Sequence, residues 1–194
     1  VGALASFVAT FEAFLGLLGF AIATGLFYGR FSRPRAYLKF SETAVVAPFE
    51  EGSAIMFRVA SYKNNMLSEA EVNITAAIEE NIDGKLVSKF YQIEPTLKKI
   101  NSFSLNWTLV HKIDSNSPFY GFSEDDFKNT DIELIIMIKA FDEVFANTVV
   151  QRTSYITPEI VYGARFLPMY HSSEDNKTTI LDLDKIDDYQ VVKI

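Results

Sequence analysis

Phe20, Thr24 and Tyr28 stand four residues apart in an otherwise apolar run, which puts them on one stripe if the run is helical. A stripe with a hydroxyl between two aromatic rings could line a pore; it could equally pack on another helix. Glu12 is the one charged side chain among the first 29 residues. A carboxylate inside a membrane span faces protein or water and often marks an ion or proton path. Gly16, Gly19 and Gly25 in the same run suit either close helix packing or a hinge. Four basic residues, Arg30, Arg33, Arg35 and Lys39, follow as a collar. A basic cluster at the end of a span suits an anionic lipid leaflet.

Group-transfer chemistry has no comparable set of residues. With no cysteine, thiol nucleophiles, thiolate metal sites and disulfides are excluded. His111 and His171 are the only histidines, too few for a zinc site. No nucleophile elbow, phosphate-binding loop or dinucleotide-binding glycine pattern is present. His111, inside "WTLVHKID", is expected as a core or interface histidine rather than a proton sensor. The acidic pairs Asp125-Asp126 and Asp187-Asp188 read as solvated faces. The chain is therefore expected not to be an enzyme, with no catalytic residue, no metal site of its own and no cofactor.

The elements that carry these residues follow from the pattern. The first 29 residues exceed the roughly 20 that a helix needs to cross the hydrocarbon layer. A signal peptide would want a basic start and a shorter apolar core. A buried helix of a soluble protein is the other alternative. Basic residues gather on the cytoplasmic side of spans, so everything after Arg30 is expected in the cytoplasm. N-x-T sequons at Asn73, Asn106 and Asn176 would matter only in the reverse orientation. Lys and Arg number 18 against 25 Asp and Glu; without Glu12 and the four collar bases the balance is 14 against 24, a net of −10. An acidic body with a basic collar argues against nucleic acid as a partner. The chain begins on Val1, so a fragment or processed product is expected.

From Ala44 the period shortens. "AIMFRVASY", "EAEVNITAAI", "KLVSKFYQI", "SFSLNWTLVHKI", "IELIIMIKAF", "NTVVQRTSYI" and "IVYGARFLPMY" are β-branched or aromatic runs of strand length. Turn signals at Asn64-Asn65, Asp83-Gly84 and Ser117-Pro118 separate them. Seven or more such strands predict a β-sandwich. A short helix is expected at "SEDDFKN", capped by Ser123 with Asp126 three residues on. The last piece, "TTILDLDKIDDYQ", is amphipathic or extended.

"TGLFYGRFSRPRAYLKFSETAVVAPFEEGSAIMFRVASYKNNMLSEAEV" resembles the passage from inner pore helix to cytoplasmic domain in inward-rectifier potassium channels, particularly the bacterial KirBac type. The likeness continues through "WTLVHKIDSNSPFYGFSEDDF", "FDEVFANTVVQRTSYITPEIVYGARF" and "TTILDLDKIDDYQ", covering essentially the whole chain in order. It implies a membrane-spanning α-helix over residues 1–29, a basic linker over 30–40 and an all-β immunoglobulin-like sandwich over 41–194. The sequence would begin just after the family's Thr-x-Gly-Tyr-Gly filter. The resemblance further implies a homotetramer in the cell (inner) membrane, multi-pass at full length, of the voltage-gated-channel class, with K+ as the permeant ion. Gly16 matches a hinge glycine, Phe20 the pore-lining position that is acidic in strong rectifiers, and Tyr28 a hydrophobic gate. With Phe20 uncharged, Mg2+ or a polyamine would block only weakly there. Glu69 matches a carboxylate lining the cytoplasmic vestibule, and Glu143, Ala146, Asn147 and Thr148 the loop that constricts it. Lys98 and Lys99 fall where some relatives carry acids. Arg30, Arg33 and Arg35 match the stretch that binds anionic phospholipid.

Two further readings stand beside the channel: a single-span protein with a non-conducting cytoplasmic interaction module, and a surface adhesin with an N-terminal anchor. An upstream filter motif favours the first, its absence the second, and glycosylated sequons the third.

Overall fold

The computed structural model describes residues 2–32, 34–63 and 66–194, and divides into two units, residues 1–34 and 35–194. Arg33 and the Asn64-Asn65 turn lie outside the described residues. The first unit is a single helix, α1 (Ala3–Phe31), with an 18-residue stretch of mean hydropathy 1.8 and none of its residues buried. A helix of this length that is apolar all round has the composition of a membrane span. It runs unbroken through Gly16, Gly19 and Gly25 and past Gly29, so Arg30 stands in its last turn, where a cation opposes the negative end of the helix dipole.

The second unit is a two-sheet β-sandwich. One sheet holds β1 (Leu38–Phe40), β2 (Ala44–Phe49), β3 (Gly52–Ser61), β7 (Asn106–Ile113) and β10 (Ile160–Tyr162). Strand β3 is its centre: β7 pairs along one side, while β1 and β2 share the other. The facing sheet holds β4 (Leu67–Ile82), β5 (Lys85–Ile93), β6 (Lys99–Phe103), β8 (Ile132–Asp142) and β9 (Asn147–Ile156). Short pairs β11 (Ala164–Phe166) with β14 (Tyr189–Val191), and β12 (Tyr170–Ser172) with β13 (Thr179–Leu181), fold the C-terminal segment.

Alternation explains which side chains meet. In β8, Ile132, Leu134, Ile136 and Ile138 point inward and are fully buried, against Val72, Ile74 and Ala76 of β4 and Phe57 and Leu109 of the other sheet. Truncating one of these isoleucines to alanine would cost about 2–5 kcal/mol. Helix α2 (Glu124–Asn129) forms where expected: Ser123 accepts from the Asp126 N–H while the Asp126 carboxylate accepts from the Ser123 N–H, a capping box. The Ser123 hydroxyl and, after it, the Ser123 N–H, both donating to Asp126 Oδ2, hold that carboxyl below its usual range. Phe127 of α2 packs among Phe119, Phe122 and Tyr162 with ring centroids 5.5–5.7 Å apart.

Two expected strands are divided. "SFSLNWTLVHKI" breaks at Ser104-Leu105, and its two halves pair with different sheets. "IVYGARFLPMY" breaks at Gly163, whose φ of +69° and approach to the Val192 carbonyl leave no room for a side chain. The Asp83-Gly84 turn holds: both residues have positive φ, as a two-residue type I′ hairpin requires. Arg58, buried on β3, donates to the Leu167 carbonyl and lies 4.5 Å from the Phe166 ring centroid, fastening the C-terminal segment to the sandwich.

Candidate functional site

Gly16, Phe20, Thr24 and Tyr28 follow one another at four-residue intervals on α1, all exposed. Thr24 Oγ1 donates to the Phe20 carbonyl at 2.8 Å, so its proton is used within the helix and its acceptor oxygen remains on the exposed stripe. Phe20 and Tyr28 are 72% and 74% exposed, which leaves both rings free to meet something outside this unit. A Cβ at Gly16 would meet nothing within 4 Å.

At one end of the β4–β8–β9 sheet the structure brings the second group together. Leu67, Asp142 and Asn147 form one row across the three strands, and Ser68, Phe141 and Thr148 the next. Glu69 follows at a β-bulge, where β4 carries one residue more than β8 and Glu69 takes φ +49°. A bulge re-aims the side chain it contains. The Glu69 carboxylate stands out into solvent, 3.4 Å from Lys99 Nζ. An exposed pair of this kind is worth at most about 1 kcal/mol. Its larger effect is on charge, because Lys99 offsets Glu69 where an acidic ring was expected. The tip of the β8–β9 hairpin, residues 143–146, is exposed and ends on Ala146 at φ +48°.

Sequence reasoning missed what shapes that tip. Asp142 is buried, and its Oδ1 accepts the Val144 and Phe145 N–H groups at 2.9 and 3.1 Å. The Glu143 N–H donates to the Met66 carbonyl at 3.0 Å, tying the tip to the start of β4. An aspartate at a strand end ahead of a turn was the available signal.

Arg30 belongs to α1 and is exposed, Arg33 lies outside the described residues, and Arg35 is exposed at the entry to the sandwich. Lys39 is engaged elsewhere, its Nζ 3.5 Å from the Leu183 carbonyl. Tyr37, at φ +49°, instead carries Lys63 Nζ 3.9 Å from its ring centroid.

His111 is buried, as its sequence context suggested. Its Nδ1 is 2.8 Å from the Glu94 carbonyl and its Nε2 2.9 Å from Ser117 Oγ. Burial pushes its pKa down, against the pull of the Glu94 carbonyl and Asp114. With Nδ1 as donor to the carbonyl, neutral imidazole accepts the Ser117 hydroxyl proton, so both ring atoms are satisfied without charge. Among the described residues no group of three or more carboxylates and histidines could hold a metal ion.

Comparison with known proteins identifies relatives of this chain. Residues 38–194 match the family model described as the inward rectifier potassium channel C-terminal domain. The chain is 33% identical over 186 residues to the inward rectifier potassium channel Kirbac3.1 of Paramagnetospirillum magnetotacticum, covering 95% of this chain and 63% of that protein. It is 25% identical over 190 residues to the inward rectifier potassium channel irk-1 of Caenorhabditis elegans, covering 93% of this chain and 35% of that one. It thus spans less than two thirds of the length of both relatives. A solved structure of the sporulation control protein Spo0M from Bacillus subtilis aligns at 9% identity and a TM-score of 0.31, over 64% of this chain and 49% of its own, and supports no inference.

Proposed function

The chain belongs to the inward-rectifier potassium channel family, and from that premise we propose that it forms the inner pore helix and cytoplasmic domain of a tetrameric channel subunit that passes K+ passively. The observation that carries this is the direct attachment of an exposed apolar helix, with Phe20, Thr24 and Tyr28 in one row, to a sandwich that matches the family's C-terminal domain from its first strand. In this reading four α1 helices surround the axis. The Tyr28 rings close it by dewetting, and swinging the helix below Gly16 opens it. Glu69 and Glu143, four times repeated beside Ala146, Asn147 and Thr148, raise the cation concentration in the vestibule, and the acidic body adds to that field. Arg30, Arg33 and Arg35 meet anionic phospholipid, each worth about 1 kcal/mol. Phe20 offers no charge, so Mg2+ and polyamines block weakly. The subunit resides in the cell membrane with residues after Arg30 in the cytoplasm, and K+ passage needs no cofactor.

The test is rubidium uptake into liposomes holding the full-length protein, driven by a potassium gradient. Barium-sensitive uptake is expected; its absence from tetrameric protein across lipid compositions would overturn the reading.

A further inference from the structure

Strand β1 is the first regular structure after α1, carries the last collar residue, Lys39, and among the described residues pairs with β3 alone. Tyr37 and Ser41, the residues on either side of it, also bond that neighbourhood: the Tyr62 N–H donates to the Tyr37 carbonyl at 3.0 Å, and the Ser41 N–H to the Arg58 carbonyl at 2.9 Å. In an antiparallel ladder the alternate residue turns its N–H and C=O to the other side. For Leu38 that side is the free edge of the strand. Both groups are taken there by a single side chain from the facing sheet. The Leu38 N–H donates to Gln151 Oε1 at 3.0 Å, and Gln151 Nε2 donates to the Leu38 carbonyl. One primary amide thus mimics a neighbouring strand and closes an edge that would otherwise be open.

Gln151 stands on the inward face of β9, the face that also carries buried Val149 and Tyr155. An apolar residue would suit that face, so the amide is a polar link across the sandwich with both of its ends satisfied. Four residues earlier on the same strand is Asn147, where β9 leaves the hairpin tip. A second link lies nearby: Tyr155 Oη is 3.3 Å from Ser41 Oγ. The chain that descends from the collar is therefore fastened to the strand that forms the vestibule loop, not only to its own sheet.

We propose that Gln151 is a positioning residue that couples the collar segment, through the Leu38 main chain, to the β8–β9 tip. A displacement of residues 35–38 is passed to β9 and alters the width of the constriction at 143–147. The coupling to conduction rests on the channel reading above; the mechanical link does not.

Hydrogen exchange followed by mass spectrometry on the full-length protein in liposomes reads the link directly. Gln151→Met keeps the length of the side chain and removes both bonds. It is expected to speed exchange at Leu38 and, at least threefold, at the Val144 and Phe145 amides. The Gly84 amide, held by Asn81 Oδ1 at 2.9 Å in the distant β4–β5 turn, should not change. Faster exchange confined to Leu38, or spread over the whole sandwich, would overturn the proposal, because either is what a merely structural glutamine would give. Gln151→Glu supplies the second variant, which serves also if the methionine protein does not fold. A protonated carboxyl can still accept from the Leu38 N–H and donate to its carbonyl, whereas a carboxylate cannot donate. Protection of the tip, corrected for the intrinsic pH dependence of exchange, should return as pH falls; a pH-independent tip would refute the link. Rubidium uptake by the same liposomes separates the two ideas: a wild type without flux rejects the channel reading and leaves the exchange result standing.

Discussion

Replacing Ser41 by alanine should destabilise the sandwich far more than removing the hydroxyl of its partner Tyr155, and the difference can be worked out from the contacts. The Ser41 hydroxyl donates to the Thr43 carbonyl at 2.8 Å, accepts the Arg58 N–H at 3.0 Å and lies 3.3 Å from Tyr155 Oη. Ser41 is 3% and Tyr155 1% exposed, so water does not replace a lost partner. Ser41→Ala leaves both the Arg58 N–H and the Tyr155 hydroxyl without a partner. At about 1–3 kcal/mol per orphaned buried group, the expected loss is about 2–6 kcal/mol. Tyr155→Phe removes one long hydrogen bond and leaves Ser41 with its other two, so its loss should stay within about 1 kcal/mol. Burial pushes the Tyr155 phenol well up, so it remains a neutral donor and the difference should not depend on pH below the alkaline range. The double variant leaves the Arg58 N–H and the half-buried Thr43 carbonyl without the serine but no tyrosine hydroxyl unpaired, and should be more stable than the two losses added, by about 1–2 kcal/mol. Guanidinium unfolding followed through Trp107, the single buried tryptophan of these residues, measures all four proteins. Additive losses, or a Tyr155→Phe variant as damaged as Ser41→Ala, would refute the reasoning.

Other outcomes follow from the same structure. His111 has a folded pKa below its unfolded value, so the unfolded chain takes up the proton first: its contribution is intact above about pH 6.5 and is lost as pH falls towards the folded pKa. Melting temperatures should therefore drop between about pH 7 and 5 in the wild type, and less steeply in His111→Gln. Ser123→Ala removes the cap of α2 and should cost about 1 kcal/mol by denaturant titration, with Phe127 packing retained. Lys99→Gln unmasks Glu69 and should raise inward cation flux at low salt while leaving the melting temperature within about 2 °C; a pair this exposed contributes little to stability. Tyr28→Ala should raise rubidium leak under closed conditions, and unchanged flux would remove Tyr28 from the gate.

The sequence revealed what depends on period and local turn chemistry. An uninterrupted apolar run became α1, the Ser123 and Asp126 spacing became a capping box, and Asp83-Gly84 became the hairpin turn expected of it. It was less informative where long-range pairing decides the outcome. A run such as "SFSLNWTLVHKI" has strand character throughout, yet its halves join opposite sheets, a choice made by partners that no local window contains. The Leu38–Gln151 link spans 113 residues and leaves no periodic trace, since one glutamine on an inward face looks like any half-buried polar residue. Glu69 was legible as a candidate only through the family likeness; its bulge and its pairing with Lys99 came from strand register. The collar illustrates the converse, because nothing in the sequence sets Lys39 apart from its basic neighbours, yet its Nζ turns to the C-terminal segment.

The central claim, that this chain lines a potassium pathway, is tested most directly by recording from the full-length protein in a planar bilayer with potassium on one side and sodium on the other. The expected result is a barium-sensitive current reversing near the potassium equilibrium potential, with closed-state leak in the Tyr28→Ala protein. A current reversing midway between the two ions, or none from a stable tetramer in anionic lipid, would contradict it.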